Sequence, residues 1–366
     1  LNGCGAVGNQ SYGYFAGGWS GSAKLSSVDR VDYSSDTPTA SPKGPITRSA
    51  STLASAGNAD YGYIGSGSPG PNSQMDRIDY SNDSATALAR GPYFKSSNAW
   101  WMGATGNTSY GYWAGDEQNS AGSTIGRLDY SNDTATAVVK GTLAGYMQRI
   151  CGFSSRANAN PTTSGMQTRS TTQTNGTPYG YASGGNYPMI SSVDRVDYSN
   201  DTATASVRGP ISRNKYYHGA TGNLSYGYHG GGEYPDTSYM DRIDYSNDSA
   251  TSSPKGNLSY SKYGQAVAGN LSYGYWMGGL PGAVSTISRV DYADDTSTAL
   301  SKGNLDSVRR RATATGNASY AYCGGGQGSP GSPISNVDRI DYSSDTSTAV
   351  AKGPISAAKS SLRALG

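Results

Sequence analysis

The chain has 366 residues, with 28 Lys and Arg against 26 Asp and Glu, giving a formal net charge of +2. This balance excludes the large basic block of a general nucleic-acid binder. The sequence also lacks the uninterrupted apolar run of about 18 residues that a transmembrane helix needs. The chain has only 3 Phe but 30 Tyr and 51 Gly, so we expect tyrosine to supply much of the buried apolar area.

Two tyrosine motifs recur from one end of the chain to the other. Tyr-Gly-Tyr, once Tyr-Ala-Tyr, begins at Tyr12, Tyr61, Tyr110, Tyr179, Tyr226, Tyr273 and Tyr320. Asp-Tyr begins at Asp32, Asp79, Asp129, Asp197, Asp244, Asp291 and Asp341. Apart from one longer interval, the copies are about 50 residues apart, and a repeat of roughly 40–50 residues indicates a propeller or an array.

Each unit reads as four short strands in a fixed order. A variable strand ending in Ala-x-Gly-Asn, as at 220–223, precedes the Ser-Tyr-Gly-Tyr strand, as at 225–231. The third strand, Val-Asp-Arg-Val-Asp-Tyr at 193–198, is rich in β-branched residues, and an Asn-Asp turn separates it from a Thr/Ala-rich fourth strand at 202–209. Seven such units predict one all-β domain over 1–366, a seven-bladed β-propeller with four antiparallel strands per blade.

Two regions depart from the regular unit. Blade 4 carries an insertion at about 155–175, rich in Ser, Thr and Asn, between its first and second strands. The C-terminal segment 359–366 contains the pattern of an additional first strand, so it competes with 1–8 for one position in blade 1. Either end could close the ring, and an open array is the alternative.

The repeat resembles the kelch repeat over essentially the whole chain. The resemblance rests on the double glycine after the second strand, at 17–18, 184–185, 230–232, 278–279 and 324–326, and on the Val-Asp-Arg-Val-Asp strand at 28–32 and 193–197. The tryptophan usual on the fourth kelch strand is absent. The near-identical, tyrosine-rich units also resemble kelch-like proteins of marine bacteriophages.

Three charged positions recur in every unit. An arginine lies two residues before the Asp of Asp-Tyr, which is its candidate carboxylate partner on the same strand face: Arg30, Arg77, Arg127, Arg195, Arg242, Arg289 and Arg339. The turn aspartate that follows strand 3, as in Asp83, is expected to form an Asx turn. A sevenfold ring of binding sites and calcium binding by these aspartates are the alternatives.

The candidate ligand site comes from residues that vary between units. In a kelch-like blade, the loops joining strand 4 to strand 1 and strand 2 to strand 3 share one face, so we predict a basic, aromatic-rich mouth of the central channel there. The candidate ligand-binding residues are Trp19, Tyr93, Phe94, Trp100, Trp101, Tyr187, Tyr216, Tyr217, His218, Tyr234, Arg309, Arg310 and Arg311. Packing between blades is the alternative role for each aromatic residue.

The sequence favours a non-catalytic binding and display domain of a virion fibre or appendage. Its expected partners are a cell-surface glycan or protein receptor and other subunits of a larger assembly, without nucleic acid or membrane insertion, and its expected location is the virion or the extracellular space. Kelch-like propellers include copper oxidases, but the two histidines, His218 and His229, do not make a copper ligand set. No enzymatic activity, cofactor or metal site is therefore predicted. A structural scaffold that docks other subunits is the alternative function.

Overall fold

The fold is that of a computed structural model, which describes residues 4–69, 73–94, 102–115, 122–143, 151–154, 179–185, 189–200, 202–233, 236–359 and 363–364. It contains seven sheets, each built on four antiparallel strands, and the sheet of blade 1 has a fifth strand in addition. The predicted all-β, seven-bladed propeller is confirmed. Within the described residues the one helical element is a 3₁₀ turn at Tyr130–Asn132, and no helix there is long and apolar enough to cross a membrane.

The strands follow the same order in every blade. The first strands are β1 (Gly5–Gly8), β5 (Ala54–Gly57), β9 (Gly103–Gly106), β13 (Cys151–Ser154), β17 (Gly219–Gly222), β21 (Ala266–Gly269) and β25 (Thr313–Gly316). The second strands are β2 (Tyr12–Ala16), β6 (Tyr61–Gly65), β10 (Tyr110–Ala114), β14 (Tyr179–Gly185), β18 (Tyr226–Gly230), β22 (Tyr273–Met277) and β26 (Tyr320–Gly324). The third strands are β3 (Val28–Asp32), β7 (Met75–Asp79), β11 (Thr124–Asp129), β15 (Ile190–Asp197), β19 (Met240–Asp244), β23 (Ile287–Asp291) and β27 (Val337–Asp341). The fourth strands are β4 (Ser41–Lys43), β8 (Leu88–Arg90), β12 (Val138–Thr142), β16 (Ser206–Arg208), β20 (Ser253–Lys255), β24 (Leu300–Ser301) and β28 (Val350–Lys352).

Both ends of the chain join the sheet of blade 1. Gly5–Gly8 occupies the first-strand position and pairs with β2, while β29 (Arg363–Ala364) adds as a fifth strand, parallel to β1 on its inner side. The blade 4 insertion at 155–175 and the remaining terminal residues lie outside the described residues.

The core lies between blades and is built largely from tyrosine. The second tyrosine of Tyr-Gly-Tyr stacks on the Asp-Tyr tyrosine of the next blade, with ring centroids 4.6–5.2 Å apart at all seven seams, the interfaces between neighbouring blades. At the closing seam Tyr33 stacks on Tyr322. These pairs agree with the expectation that tyrosine supplies buried apolar area, because each ring is buried against its partner.

A buried charge cluster crosses each described seam in the same way. In blade 4, Tyr181 Oη and Arg195 Nη1 both donate to Asp248 Oδ2 of blade 5 at 2.8 Å. The Arg195 guanidinium also lies 4.0 Å from the ring centre of Tyr179. Equivalent clusters surround Asp36, Asp83, Asp133, Asp295 and Asp345. The cluster at Asp36 joins blade 7 to blade 1 and thereby closes the ring.

This cluster corrects the expected partner of the repeated arginine. The turn aspartate of the next blade holds the guanidinium, whereas the Asp-Tyr aspartate forms the Asx turn; for example, Asp32 Oδ1 accepts from Ser34 N at 2.9 Å. The turn aspartates' oxygens already face cationic groups, as Asp83 faces Arg30 and Lys43. Burial raises the pKa of Asp83, but these neighbours outweigh it and lower the pKa overall. Because cationic groups already occupy the carboxylate oxygens, the site is unsuited to a calcium ion.

Candidate functional site

One face of the propeller carries the loops from strand 4 to the next blade's strand 1 and from strand 2 to strand 3; we call it the loop face. On it, each described 4–1 loop pairs with the 2–3 loop of the following blade through an isolated β-bridge. Four such bridges are Ser51 to Ser68, Tyr216 to Glu233, Tyr263 to Leu280, and Arg310 to Gln327. The first residue of each pair is the seventh after the glycine that follows strand 4. The same backbone frame therefore carries different side chains at each seam.

The eighth residue after that glycine also keeps one backbone conformation. It has a positive φ in each of the four cases: 58° at Thr52, 54° at Tyr217, 60° at Gly264 and 53° at Arg311. Three of these residues are not glycine. A residue with a side chain pays free energy to adopt a positive φ, so surrounding contacts must fix the conformation. Such contacts are present, because Gly264 N donates to Tyr217 O at 3.0 Å and Arg311 N donates to Gly264 O at 2.9 Å.

We call these seventh and eighth residues, together with the bridged residue of the 2–3 loop, the variable positions. At the seams entering blades 5, 6 and 7 they surround a cavity of about 280 Å³. Its lining residues are Tyr216, Tyr217, Glu233, Tyr263, Gly264, Leu280 and Arg311. Every residue in the cavity wall is a variable position, so the structure gathers divergent parts of the repeat at one place.

The tyrosine rings form one side of the cavity. The Tyr216 and Tyr217 ring centres are 5.1 Å apart, and the Tyr217 and Tyr263 centres are 6.4 Å apart. Burial raises the pKa of Tyr263, with the charges of Glu233 and Asp236 acting in the same direction and those of Arg311 and Arg310 opposing them. The cavity thus combines aromatic surface with acidic and basic groups in equal number.

Most of the described 4–1 loop cations do not reach this cavity. Lys215, Arg309 and Lys359 occupy the sixth position after the glycine, and each forms a buried ion pair with the first aspartate of strand 3 in the following blade. The partners are Asp241 at 2.8 Å, Asp338 at 2.9 Å and Asp29 at 2.6 Å, respectively. These cations stabilise the seams, so the expected strongly basic channel mouth does not form from them.

Lys262 occupies the same position but lacks the carboxylate partner. Its side chain is fully buried, and strand 3 of blade 6 carries Ser288 at the position where five of the other six blades carry aspartate. Among the described residues, the Lys262 ammonium contacts only Trp276 O at 3.2 Å and the carbonyl and hydroxyl oxygens of Thr286 at 3.4 Å. Burial lowers the pKa of Lys262 to about 7.

The two histidines meet in a buried cluster away from the cavity. Ser183 Oγ lies 3.1 Å from His218 Nε2 and 2.9 Å from His229 Nδ1, and all three side chains are buried. Burial lowers the pKa of both imidazoles, to about 3 for His229. These histidines are therefore neutral near pH 7 and pack the seam between blades 4 and 5.

The predicted site residues divide into three groups. Tyr216, Tyr217 and Arg311 line the cavity, with Arg310 beside it in a partly buried position. Tyr93, His218 and Arg309 are buried, Phe94 packs on Tyr93 with ring centres 4.1 Å apart, and Trp19 is partly exposed in a bridge to Lys24. Trp100, Trp101, Tyr187 and Tyr234 lie outside the described residues.

The candidate site residues derived from the sequence omitted Tyr263, Gly264 and Leu280, whereas Glu233 belongs to a strand 2–3 loop that was expected at the channel mouth. A usable signal was present, because Tyr263 and Gly264 stand the same number of residues after Gly256 as Tyr216 and Tyr217 stand after Gly209. Leu280 and Glu233 each follow a double glycine directly. Counting from these fixed glycines, rather than scanning for aromatic residues, identifies the cavity wall.

Comparison with known proteins supports the fold and no closer relationship. No protein-family model and no curated protein matches the sequence. One solved structure, titled "Structure of YjhT", has a TM-score of 0.60 and 12% identity, covering 85% of this chain and 99% of that one. A fungal alcohol oxidase of the AA5 family, in complex with copper, has a TM-score of 0.62 and 10% identity, covering 86% of this chain and 67% of that one.

The oxidase corrects the prediction that the chain is not an enzyme. That prediction is wrong because it excluded catalysis for a fold that an alcohol oxidase shares. At 10% identity the likeness shows the fold alone and assigns no activity to this chain. A copper ion does not fit the residues present, since His218 and His229 are buried around Ser183 and no group of three or more His, Cys, Asp or Glu among the described residues could hold a metal. The chain is a seven-bladed β-propeller.

Proposed function

We propose that this chain is a binding and display domain that recognises a cell-surface glycan or receptor through the cavity at blades 5 to 7. The observation that carries the proposal is the composition of the cavity wall, which consists wholly of variable positions on a constant backbone frame. A frame that holds φ and hydrogen bonding constant while side chains diverge is the arrangement expected of a recognition surface built on a rigid scaffold.

The chemistry of the wall favours a glycan over other ligands. Three tyrosine rings, inclined to one another, give an apolar surface with polar edges, and Glu233 and Arg311 add an acceptor and a donor. Concave sites with aromatic walls and a few polar groups are typical of small-ligand recognition. The seam entering blade 2 provides a contrast, because its variable positions Ser51, Thr52 and Ser68 offer no aromatic surface.

We further propose that the domain belongs to a virion fibre or appendage and acts on the virion or outside the cell. The support is the resemblance of the tyrosine-rich repeats to kelch-like proteins of marine bacteriophages. The second candidate function is a scaffold that docks other subunits. Imaging of the native assembly separates the two, because an exposed tip position supports recognition and a position locked between subunits supports the scaffold.

The test replaces the variable positions of blade 5 by those of blade 2: Tyr216→Ser, Tyr217→Thr and Glu233→Ser in one variant. Thr52 already adopts the φ that Tyr217 has, so the variant keeps the backbone frame. The probe is an array of bacterial and eukaryotic surface glycans. We expect the unchanged protein to bind specific glycans on the array. The binding signal of the triple variant on the same glycans should be at least tenfold lower.

The matched control is Leu271→Ser, since Leu271 is exposed in the turn between β21 and β22, at the other end of the blade. It should bind as the unchanged protein does. Full binding by the triple variant would reject the cavity as the recognition site. Absence of any array signal from the unchanged protein would reject glycan recognition.

A further inference from the structure

We infer that the cavity at blades 5 to 7 takes one neutral pyranose unit, a hexose without a carboxylate or an amine, as its primary ligand. This inference rests on the proposed function and assigns a substrate class to the same site. Three features carry it: the size of the cavity, the aromatic wall, and the balance of charge around Tyr263.

The size of the cavity limits how much of a glycan enters. Its volume of about 280 Å³ lies just below the roughly 300–1,000 Å³ typical of small-molecule sites. One sugar ring is therefore the principal contact, and further rings of a glycan lie outside. Selectivity among glycans then depends on the identity of that one ring.

The aromatic wall selects a ligand with one apolar face. Tyr217 and Tyr263 have ring planes inclined by 31°, so they form a shallow angled surface rather than a slot. The C–H face of a pyranose packs on such a surface while its hydroxyl groups remain at the edge. The phenol hydroxyls and the polar groups of the wall then face those hydroxyl groups.

The charges around the cavity favour a ligand without net charge. Two acidic residues, Glu233 and Asp236, and two basic residues, Arg310 and Arg311, act on Tyr263 with opposite signs. A sugar carboxylate would be attracted by Arg311 but repelled by Glu233. A sugar ammonium would be attracted by Glu233 but repelled by Arg311. A neutral hydroxyl accepts from a guanidinium and donates to a carboxylate, so adjacent hydroxyl groups use both residues without repulsion.

The experiment compares matched sugars by saturation-transfer NMR and calorimetry. Each series contains the methyl glycoside of glucose, galactose or mannose, the corresponding uronic acid, and the corresponding 2-amino sugar. We expect millimolar binding of at least one neutral glycoside, at least fivefold tighter than binding of its two charged counterparts. Tighter binding of a charged member in every series would overturn the inference.

Two single variants test the origin of this selectivity. Glu233→Gln should strengthen binding of the uronic acid at least threefold, and Arg311→Gln should do the same for the amino sugar, because each removes one repulsion. Unchanged ratios in both variants would overturn the role assigned to these charges. If no monosaccharide binds while the glycan array still shows binding that depends on Tyr217, the neutral-pyranose inference fails and the proposed function stands; array binding that survives the triple variant removes both.

Discussion

At each described blade seam a tyrosine, an arginine and a turn aspartate keep the same contact, whereas the variable positions of the loop face change from one blade to the next. Tyr228 and Arg242 both donate to Asp295 at 2.7–2.8 Å, and the corresponding residues do so at the closing seam. The seventh position of the 4–1 loop, by contrast, is Ser51, Tyr216, Tyr263 or Arg310. The contacts that hold the seams and the side chains of the proposed recognition site therefore lie in different parts of the repeat, and each can be altered separately.

The largest expected effect comes from removing the shared carboxylate of a seam. Asp248→Ala leaves the Arg195 guanidinium and the buried Tyr181 hydroxyl without their acceptor. We expect a loss of about 3 kcal/mol in the free energy of unfolding, since breaking a largely buried ion pair strands the remaining charge. Urea denaturation measures it.

The control for this change is Asp294→Ala, because Asp294 is exposed and bonds only within its own turn, to Thr296 and Ser297. It should cost no more than about 0.5 kcal/mol. Equal losses for the two variants would show that the seam cluster is no more important for stability than a surface turn.

The second effect concerns how closely two blades approach. Gly209 follows strand 4 of blade 4, and a Cβ there would overlap the carbonyl of Ala250 in the turn of blade 5. Gly209→Ala should therefore cost about 2–3 kcal/mol, as overpacking of a tight interface does.

Gly282→Ala is the comparison for the glycine change, because Gly282 has a φ of 71° and nothing within 4 Å of its added Cβ. It should cost about 1 kcal/mol for the backbone conformation alone. A Gly209→Ala protein as stable as Gly282→Ala would show that the blades can move apart freely. Thermal and urea unfolding of both variants provide the measurement.

The third effect comes from giving the buried Lys262 the carboxylate partner that it lacks. Ser288→Asp gives Lys262 the carboxylate that Lys215 has in Asp241. Because burial lowers the pKa of Lys262 from 10.5 to about 7, the unfolded chain binds more protons than the folded chain between these values. The stability of the unchanged protein should then rise from pH 7 to pH 10, and the full penalty should be present below pH 7.

Ser288→Asp should remove this rise and add about 2 kcal/mol of stability at pH 6, because a buried charge gains its partner. Lys262→Met, which removes the titrating group, should also flatten the profile. Denaturation at pH 6, 8 and 10 for the three proteins is the measurement. Parallel profiles in all three would contradict a titrating Lys262.

The smallest expected effect on stability comes from the loop face. Tyr217→Thr, which copies Thr52 at the same φ, should change the free energy of unfolding by about 0.5 kcal/mol or less, as surface substitutions do. The same variant should weaken glycan binding at least fivefold. A large loss of stability would mean that the variable positions also hold the ring together.

The parts of this fold that could be predicted from the sequence are those set by local pattern and repetition. Four strands per unit follow from strand-forming residues between turn residues, and seven units follow from the spacing of Tyr-Gly-Tyr and Asp-Tyr. The buried stacking of Tyr14 on Tyr80 agrees with the expectation that tyrosine supplies much of the buried apolar area. The partner of Arg30 could not be predicted, because Asp32 and Asp83 fit equally well until the blades are placed side by side.

The roles of the candidate site residues likewise could not be predicted from the sequence alone. Arg309 and Arg311 are two residues apart in a run of three arginines, and composition treats them alike. In the structure Arg309 points into the seam and pairs with Asp338, while Arg311 lies in the cavity wall. Only the path of the 4–1 loop separates the two roles.

By itself the sequence determined the strands, their number per unit and the use of tyrosine as core material, because each depends on residues close together in the chain. The tertiary structure decided which carboxylate holds each arginine, that Gly5–Gly8 takes the first-strand position of blade 1 with Arg363–Ala364 inside it, and which variable residues share one cavity. These outcomes depend on contacts between blades, and a contact such as Arg339 to Asp36 joins residues 303 positions apart.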